Sequence, residues 1–95
     1  MSLAVRFASS DELDEFKRAL QQRYPRTTWT RYLHLHSAWI KSTTMSTITL
    51  HYWHGTTSLW LSGDAVEQWH SSDEFTQLRQ QAYDAAAQSN TGPSK

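Results

Sequence analysis

Between Phe16 and Gly63 the chain contains no aspartate or glutamate, and through most of that stretch apolar and polar residues alternate. From Met45 to His54, Ile48, Leu50 and Tyr52 alternate with Thr47, Thr49, His51 and Trp53. From Ser58 to Ser62, Leu59 and Leu61 flank Trp60. From Trp29 to Lys41, Leu33, Leu35, Ser37 and Trp39 alternate with Tyr32, His34, His36, Ala38 and Ile40. A period of two sends successive side chains to opposite faces of a strand. The β-branched and aromatic content of these segments suits a pleated surface. Ser42-Thr43-Thr44 reads as a turn and Gly55-Thr56-Thr57 as a tight hairpin. Connections this short join antiparallel strands. The centre of the chain is therefore expected to be a three-strand antiparallel meander.

The flanks read differently. Leu3, Val5 and Phe7 alternate with Ala4, Arg6 and Ala8 and predict a short first strand. Ser9 and Glu12 fit a capping box, and Leu13, Phe16 and Leu20 give the following helix an apolar stripe. Tyr24-Pro25 ends it near Arg23, because a residue before proline avoids the helical region. After the meander, Gly63 ends a strand and Asp64 is positioned to cap a helix from Ala65. Val66, Trp69, Phe75, Leu78, Ala82 and Ala85 form its expected stripe. Ser71-Ser72-Asp73-Glu74 interrupts it with a second start signal, predicting a kink or two abutting helices. The expected fold is α+β, in the order β-α-β-β-β-α, with the helices packed on one face of the antiparallel sheet. Residues 1–87 are expected to form one domain, and 88–95, without an apolar anchor, a disordered tail.

Composition narrows the function. The chain has 95 residues and no cysteine, which rules out disulfides, thiolate metal sites and cysteine nucleophiles. No apolar run approaches the roughly 20 residues of a membrane span, and Met1 to Arg6 is too short in apolar length for a signal peptide. These features lead to the expectation of an intracellular protein, cytoplasmic or nuclear, with no membrane partner. The formal net charge is zero, but the distribution is uneven. Lys17, Arg18, Arg23, Arg26, Arg31 and Lys41, with His34, His36, His51 and His54, lie between acidic flanks. The acids also suit helix N-termini, which accounts for part of that pattern. With 3 glycines there is no phosphate-cradling loop, and no G-x-S-x-G occurs.

If the two helices cover one sheet face, the alternation leaves the other open. Leu33, Leu35, Trp39, Ile48, Leu50, Leu59 and Leu61 are expected to face the helices, and Tyr32, His34, His36, His51, Trp53 and Trp60 to lie on the open side. Sheets that mix aromatic rings with small polar groups stack bases and bond phosphates or base edges. The leading expectation is a non-catalytic nucleic-acid-binding module for DNA, RNA or a hybrid. In it Tyr32, Trp53 and Trp60 stack, His34, His36 and His51 hydrogen-bond, and Arg26, Arg31 and Lys41 meet phosphates. A second expectation is a homodimer or protein-interaction domain that buries the same face. A third follows from His34-Leu35-His36, whose spacing on one strand presents both rings to one side as chelation needs. That pair resembles the metal-binding motif of the HUH endonucleases, whose later tyrosine would correspond to Tyr83. Here Tyr83 is followed by Asp84 and alanines rather than a lysine, and no acidic third ligand stands out. The leading expectation involves no metal and no cofactor.

A wider resemblance lies in Ile48-Thr49-Leu50-His51-Tyr52-Trp53-His54-Gly55-Thr56-Thr57-Ser58-Leu59-Trp60-Leu61-Ser62-Gly63-Asp64-Ala65-Val66-Glu67. A strand ends in an aromatic residue, a short turn and an apolar strand follow, and a glycine opens a helix. This resembles the TATA-binding-protein-like domain at the N-terminus of type-III bacterial ribonuclease H, over roughly Val5 to Trp69. The resemblance implies a binding module that helps hold an RNA–DNA hybrid through its open sheet face. The turn departs from the family's Ser-Gly-Lys, since Gly55-Thr56-Thr57 carries no lysine, and the 95 residues hold no catalytic ribonuclease domain.

Overall fold

A computed structural model describes residues 2–42 and 45–91. The elements run β1 (Ser2–Arg6), α1 (Ser10–Arg23), β2 (Thr30–Tyr32), β3 (Leu35–Ser42), β4 (Met45–Trp53), β5 (Ser58–Ser62), α2 (Val66–His70) and α3 (Asp73–Thr91). The strands form one antiparallel sheet in the order β1-β5-β4-β3-β2. The α+β class and one-sided helix layer agree with the sequence. The split into α2 and α3 is the pair of abutting helices that the start signal at residues 71–74 allowed, and the strand count exceeds the expected order by one, because Trp29–Lys41 contains two strands.

Local chemistry explains the boundaries of α1. Ser9 Oγ accepts from the Glu12 amide at 3.2 Å, and Glu12 Oε1 reaches back to accept from the Ala8 amide at 3.3 Å. This is a capping box shifted by one residue. Tyr24, before Pro25, is the C-cap, and its amide bonds the Leu20 carbonyl. The second start signal also acts, since Ser72 Oγ accepts from the Phe75 amide and separates α2 from α3. Asp64 makes no cap, because the N-cap of α2 is Ala65 with no side-chain bond. Helix α3 continues to Thr91, so Gln88–Thr91 is helical rather than a disordered tail. The expected turn at Thr43-Thr44 and residues 92–95 lie outside the described residues.

The core lies between the helices and one sheet face. Leu13, Phe16 and Leu20 of α1, Val66 and Trp69 of α2, and Phe75, Leu78 and Ala82 of α3 pack on Val5, Ala38, Ile40, Ile48, Leu50, Tyr52, Leu59 and Leu61. Phe16 sits at its centre, with ring centroids 5.1 Å from Phe7 and 5.8 Å from Phe75. Non-polar burial of this kind contributes roughly 25 cal/mol per Å².

The main correction concerns Trp29–Lys41, which is not one strand. Leu33 and His34 form a two-residue turn, with Leu33 at φ 57°, and Tyr32 pairs with Leu35. Residues directly opposite in a ladder share a face, so the turn shifts the alternation of β3 against that of β2. Ala38 and Ile40 face the helices, and Trp39 does not: it is 57 % exposed. A period-two run carries no mark of such a reversal unless its turn residues announce it. Leu33-His34 does not, since leucine disfavours positive φ.

Candidate functional site

The register orders the open face into rows. Thr30, Ser37, His51, Trp60 and Ala4 lie across one row; Tyr32, Leu35 and Trp53 across a second; Trp39, Thr49, Ser62 and Ser2 across a third. Trp39, Trp53 and Trp60 are 57 %, 52 % and 41 % exposed, and Tyr32 is 76 % exposed. None of the five strands contains an aspartate or glutamate. The surface therefore offers broad ring faces set among threonine, serine and one histidine, without a carboxylate to repel an anion. Strand geometry places the Trp53 and Trp60 Cα atoms about 8 Å apart, with Trp39 about 12 Å from Trp60 and about 14 Å from Trp53.

The expected site residues divide. Tyr32, His51, Trp53 and Trp60 are on the open face as anticipated, and Trp39 joins them. His34 is in the β2–β3 turn and exposed, and its carbonyl accepts from the His54 amide at 2.6 Å. His36 points the other way, toward the helices. Its ring stacks on Tyr52 at 4.6 Å and 10°, and on His54 at 5.7 Å. Lys17 of α1 donates to the Tyr52 hydroxyl and lies 4.8 Å over the Trp29 ring. Burial of the imidazole, with help from the charges on Lys17 and Arg31, pushes the pKa of His36 below the usual histidine value. His36 therefore lies on the helix side of the sheet and is not a contact of the open face. Its Nε2 and the Trp29 Nε1 are buried without a partner.

This division removes the histidine pair as a chelate. His34 is in a turn, His36 faces the helices and His51 faces the open side, so the three rings do not converge. No cluster of three or more metal-ligating side chains occurs among the described residues. Tyr83 is exposed on α3, lining a cleft with Glu12, His70 and Arg79, in the helical layer rather than near His51.

Arg31 bonds the Leu33 carbonyl at 2.9 Å at the outer edge of the sheet. Arg26 and Lys41 line a groove of about 630 Å³ with Arg23, Tyr24, Pro25, Thr27 and Trp39. No residue pattern predicts this groove, because it joins the segment after α1 to β3 across the sheet edge. A second unanticipated feature is Glu74. It accepts from the Tyr24 hydroxyl, from the Trp69 indole at 3.0 Å and from Arg23 at 2.9 Å. Burial and the bond to Glu74 push the Tyr24 hydroxyl up to about 12. Burial acts to raise the Glu74 carboxyl, but the bonds from Tyr24 and Trp69 and the Arg23 charge outweigh it and hold the carboxyl low. The side chains of Tyr24 and Trp69 thus meet at one carboxylate that locks the end of α1 to α2 and α3.

No helix among the described residues is long and apolar enough to cross a membrane. Comparison with protein-family models, with curated proteins and with solved structures finds no match.

Proposed function

We propose that the chain is a non-catalytic module that binds single-stranded nucleic acid on the open sheet face. The observation that carries this reading is three half-exposed tryptophans on one face of a sheet whose strands hold no carboxylate. A soluble protein does not usually leave several large rings uncovered on one surface without a partner for them. A base stacked on such a ring contributes about 1–3 kcal/mol. Bases of a single strand are free to stack in this way, whereas those of a duplex are already stacked on one another. His51, Thr49 and Ser37 lie among the rings as hydrogen-bonding groups. The resemblance to the TATA-binding-protein-like domain supports the same surface, because the face away from the helices is the one that such a domain would present.

Titration of tryptophan fluorescence with single-stranded, duplex and hybrid oligonucleotides at low salt tests the reading. Quenching by the single strand, reduced in Trp53→Ala and Trp60→Ala, is expected. Absence of quenching by every oligonucleotide would exclude it.

The same half-exposed rings favour one competing reading, self-association through the open face. Sedimentation separates the two. A dimer whose Trp39, Trp53 and Trp60 are shielded from acrylamide would replace the binding reading.

A further inference from the structure

The sheet has an interrupted edge. β2 covers β3 only from Leu35 to Ser37, so Ala38 to Ser42 have β4 on one side and no strand on the other. The end of α1 at Arg23 and the segment Tyr24–Thr27 that follows it stand across that gap and leave the groove of about 630 Å³. Small-molecule sites occupy roughly 300–1,000 Å³, so the groove is large enough for one nucleotide unit. Its chemistry is specific. Trp39, 57 % exposed, supplies a ring that belongs to the open face by register and to the groove by position. Tyr24 and Pro25 add apolar wall, and no carboxylate lines the groove.

The three cations of the groove are not equivalent. Arg23 is committed, with Glu74 at 2.9 Å and the Tyr24 ring at 5.1 Å. Arg26 and Lys41 have no carboxylate partner among the described residues. Two unneutralised cations beside an exposed indole, in a concave site free of acids, suit a phosphate next to a base. Elsewhere, Glu15 pairs with Arg18 and Glu12 lies near Arg79.

We infer that this groove is the phosphate subsite of the single strand, with Arg26 and Lys41 gripping a phosphodiester while its base stacks on Trp39. The inference rests on the proposed binding function and gives it a polarity. The strand is held by charge at the Trp39 edge and by uncharged contacts, stacking and hydrogen bonds, across Trp60 and Trp53. Arg26 and Lys41 are groove contacts, and Arg31, bonded to the Leu33 carbonyl beyond the far row, is not part of the grip.

Salt dependence separates the two kinds of contact. For single strands the logarithm of the binding constant falls with the logarithm of salt concentration with a slope of about −0.7 per phosphate neutralised. The experiment compares wild type, Arg26→Gln/Lys41→Gln, Trp53→Ala/Trp60→Ala and Arg18→Gln with a short oligothymidylate, between about 50 and 200 mM salt. The groove variant is expected to flatten the slope by about 0.7 units, the share of the one phosphate it grips. The tryptophan variant is expected to lose affinity at every salt concentration with its slope unchanged. Arg18, on the helical surface and 65 % exposed, is expected to leave the slope unchanged. Wild-type binding with an unaltered slope in the groove variant would overturn the inference and leave the binding function standing. An equal per-charge effect from Arg18→Gln would overturn it too, since the groove would then act only through general field. No binding by wild type would remove both.

Discussion

Gly63→Ala tests the close packing of the end of β5 against β4. Gly63 follows β5 at φ 134°, a conformation that is essentially restricted to glycine. A Cβ there would sit 2.7 Å from the Thr47 carbonyl oxygen and 3.5 Å from the Ile48 Cα. Both belong to the backbone of β4, the strand between β3 and β5, and Ile48 is fully buried. Neither can withdraw without disturbing the pairing of Thr49 with Ser62. The backbone conformation costs about 1–3 kcal/mol and the forced contact about 1–3 kcal/mol more. Alanine returns about 0.4–1 kcal/mol by restricting the unfolded chain. The expected net loss is about 3 kcal/mol, a large part of the roughly 5–14 kcal/mol of a domain this size. Urea denaturation followed by tryptophan fluorescence measures it. With a slope near 1.5 kcal/mol per M, the midpoint is expected to fall by about 2 M. Gly55→Ala is the control. Its φ is 88°, but nothing lies within 4 Å of a Cβ, so it is expected to cost about 1 kcal/mol. Equal losses in the two variants would refute the argument from the β4 contact.

The other predictions concern the core, the turn and pH. Trp69→Ala, which removes a side chain 4 % exposed and bonded to Glu74, is expected to cost about 3–5 kcal/mol. Trp39→Ala is expected to cost under about 1 kcal/mol, and a core-sized loss there would contradict the reversed face of β3. Leu33→Asn is expected to raise the urea midpoint, because asparagine tolerates the positive φ that leucine does not, and an unchanged or lower midpoint would count against the turn. Acid unfolding is expected in two stages. The lowered pKa of His36 means that the unfolded chain takes a proton first, so stability present above about pH 6.5 declines as pH falls through the folded pKa. Glu74, also lowered, contributes stability present above about pH 4.5 that is lost as pH falls further. Comparing stability against pH for wild type and His36→Phe checks this, and identical curves between pH 6.5 and 5 would remove His36 from the account. At the alkaline end, Tyr24 is raised to about 12. The stability it contributes is full below about pH 10 and declines as pH rises through 12. Tyr24→Phe is expected to lose that alkaline leg.

Much of the site was written in local patterns. Ile48, Leu50 and Tyr52 on one side and His51 and Trp53 on the other follow from uninterrupted alternation in β4, and Trp60 follows likewise between Leu59 and Leu61. The acid-free composition of the strands and the capping signals at Ser9 and Ser72 were equally legible, because each depends on residues a few positions apart. Tertiary structure decided the rest. The turn at Leu33-His34 has no glycine or asparagine to mark it, and it reversed β3, moving Trp39 to the open face and His36 under the helices. Which of two alternating sets faces the core is a property of strand pairing, and pairing is set by burial against the helices rather than by the strand's own period. The groove at Arg26, Lys41 and Trp39 and the meeting of Tyr24 and Trp69 on Glu74 join positions far apart in the chain. They exist only once α1 and the segment after it are laid against the sheet and the last helices.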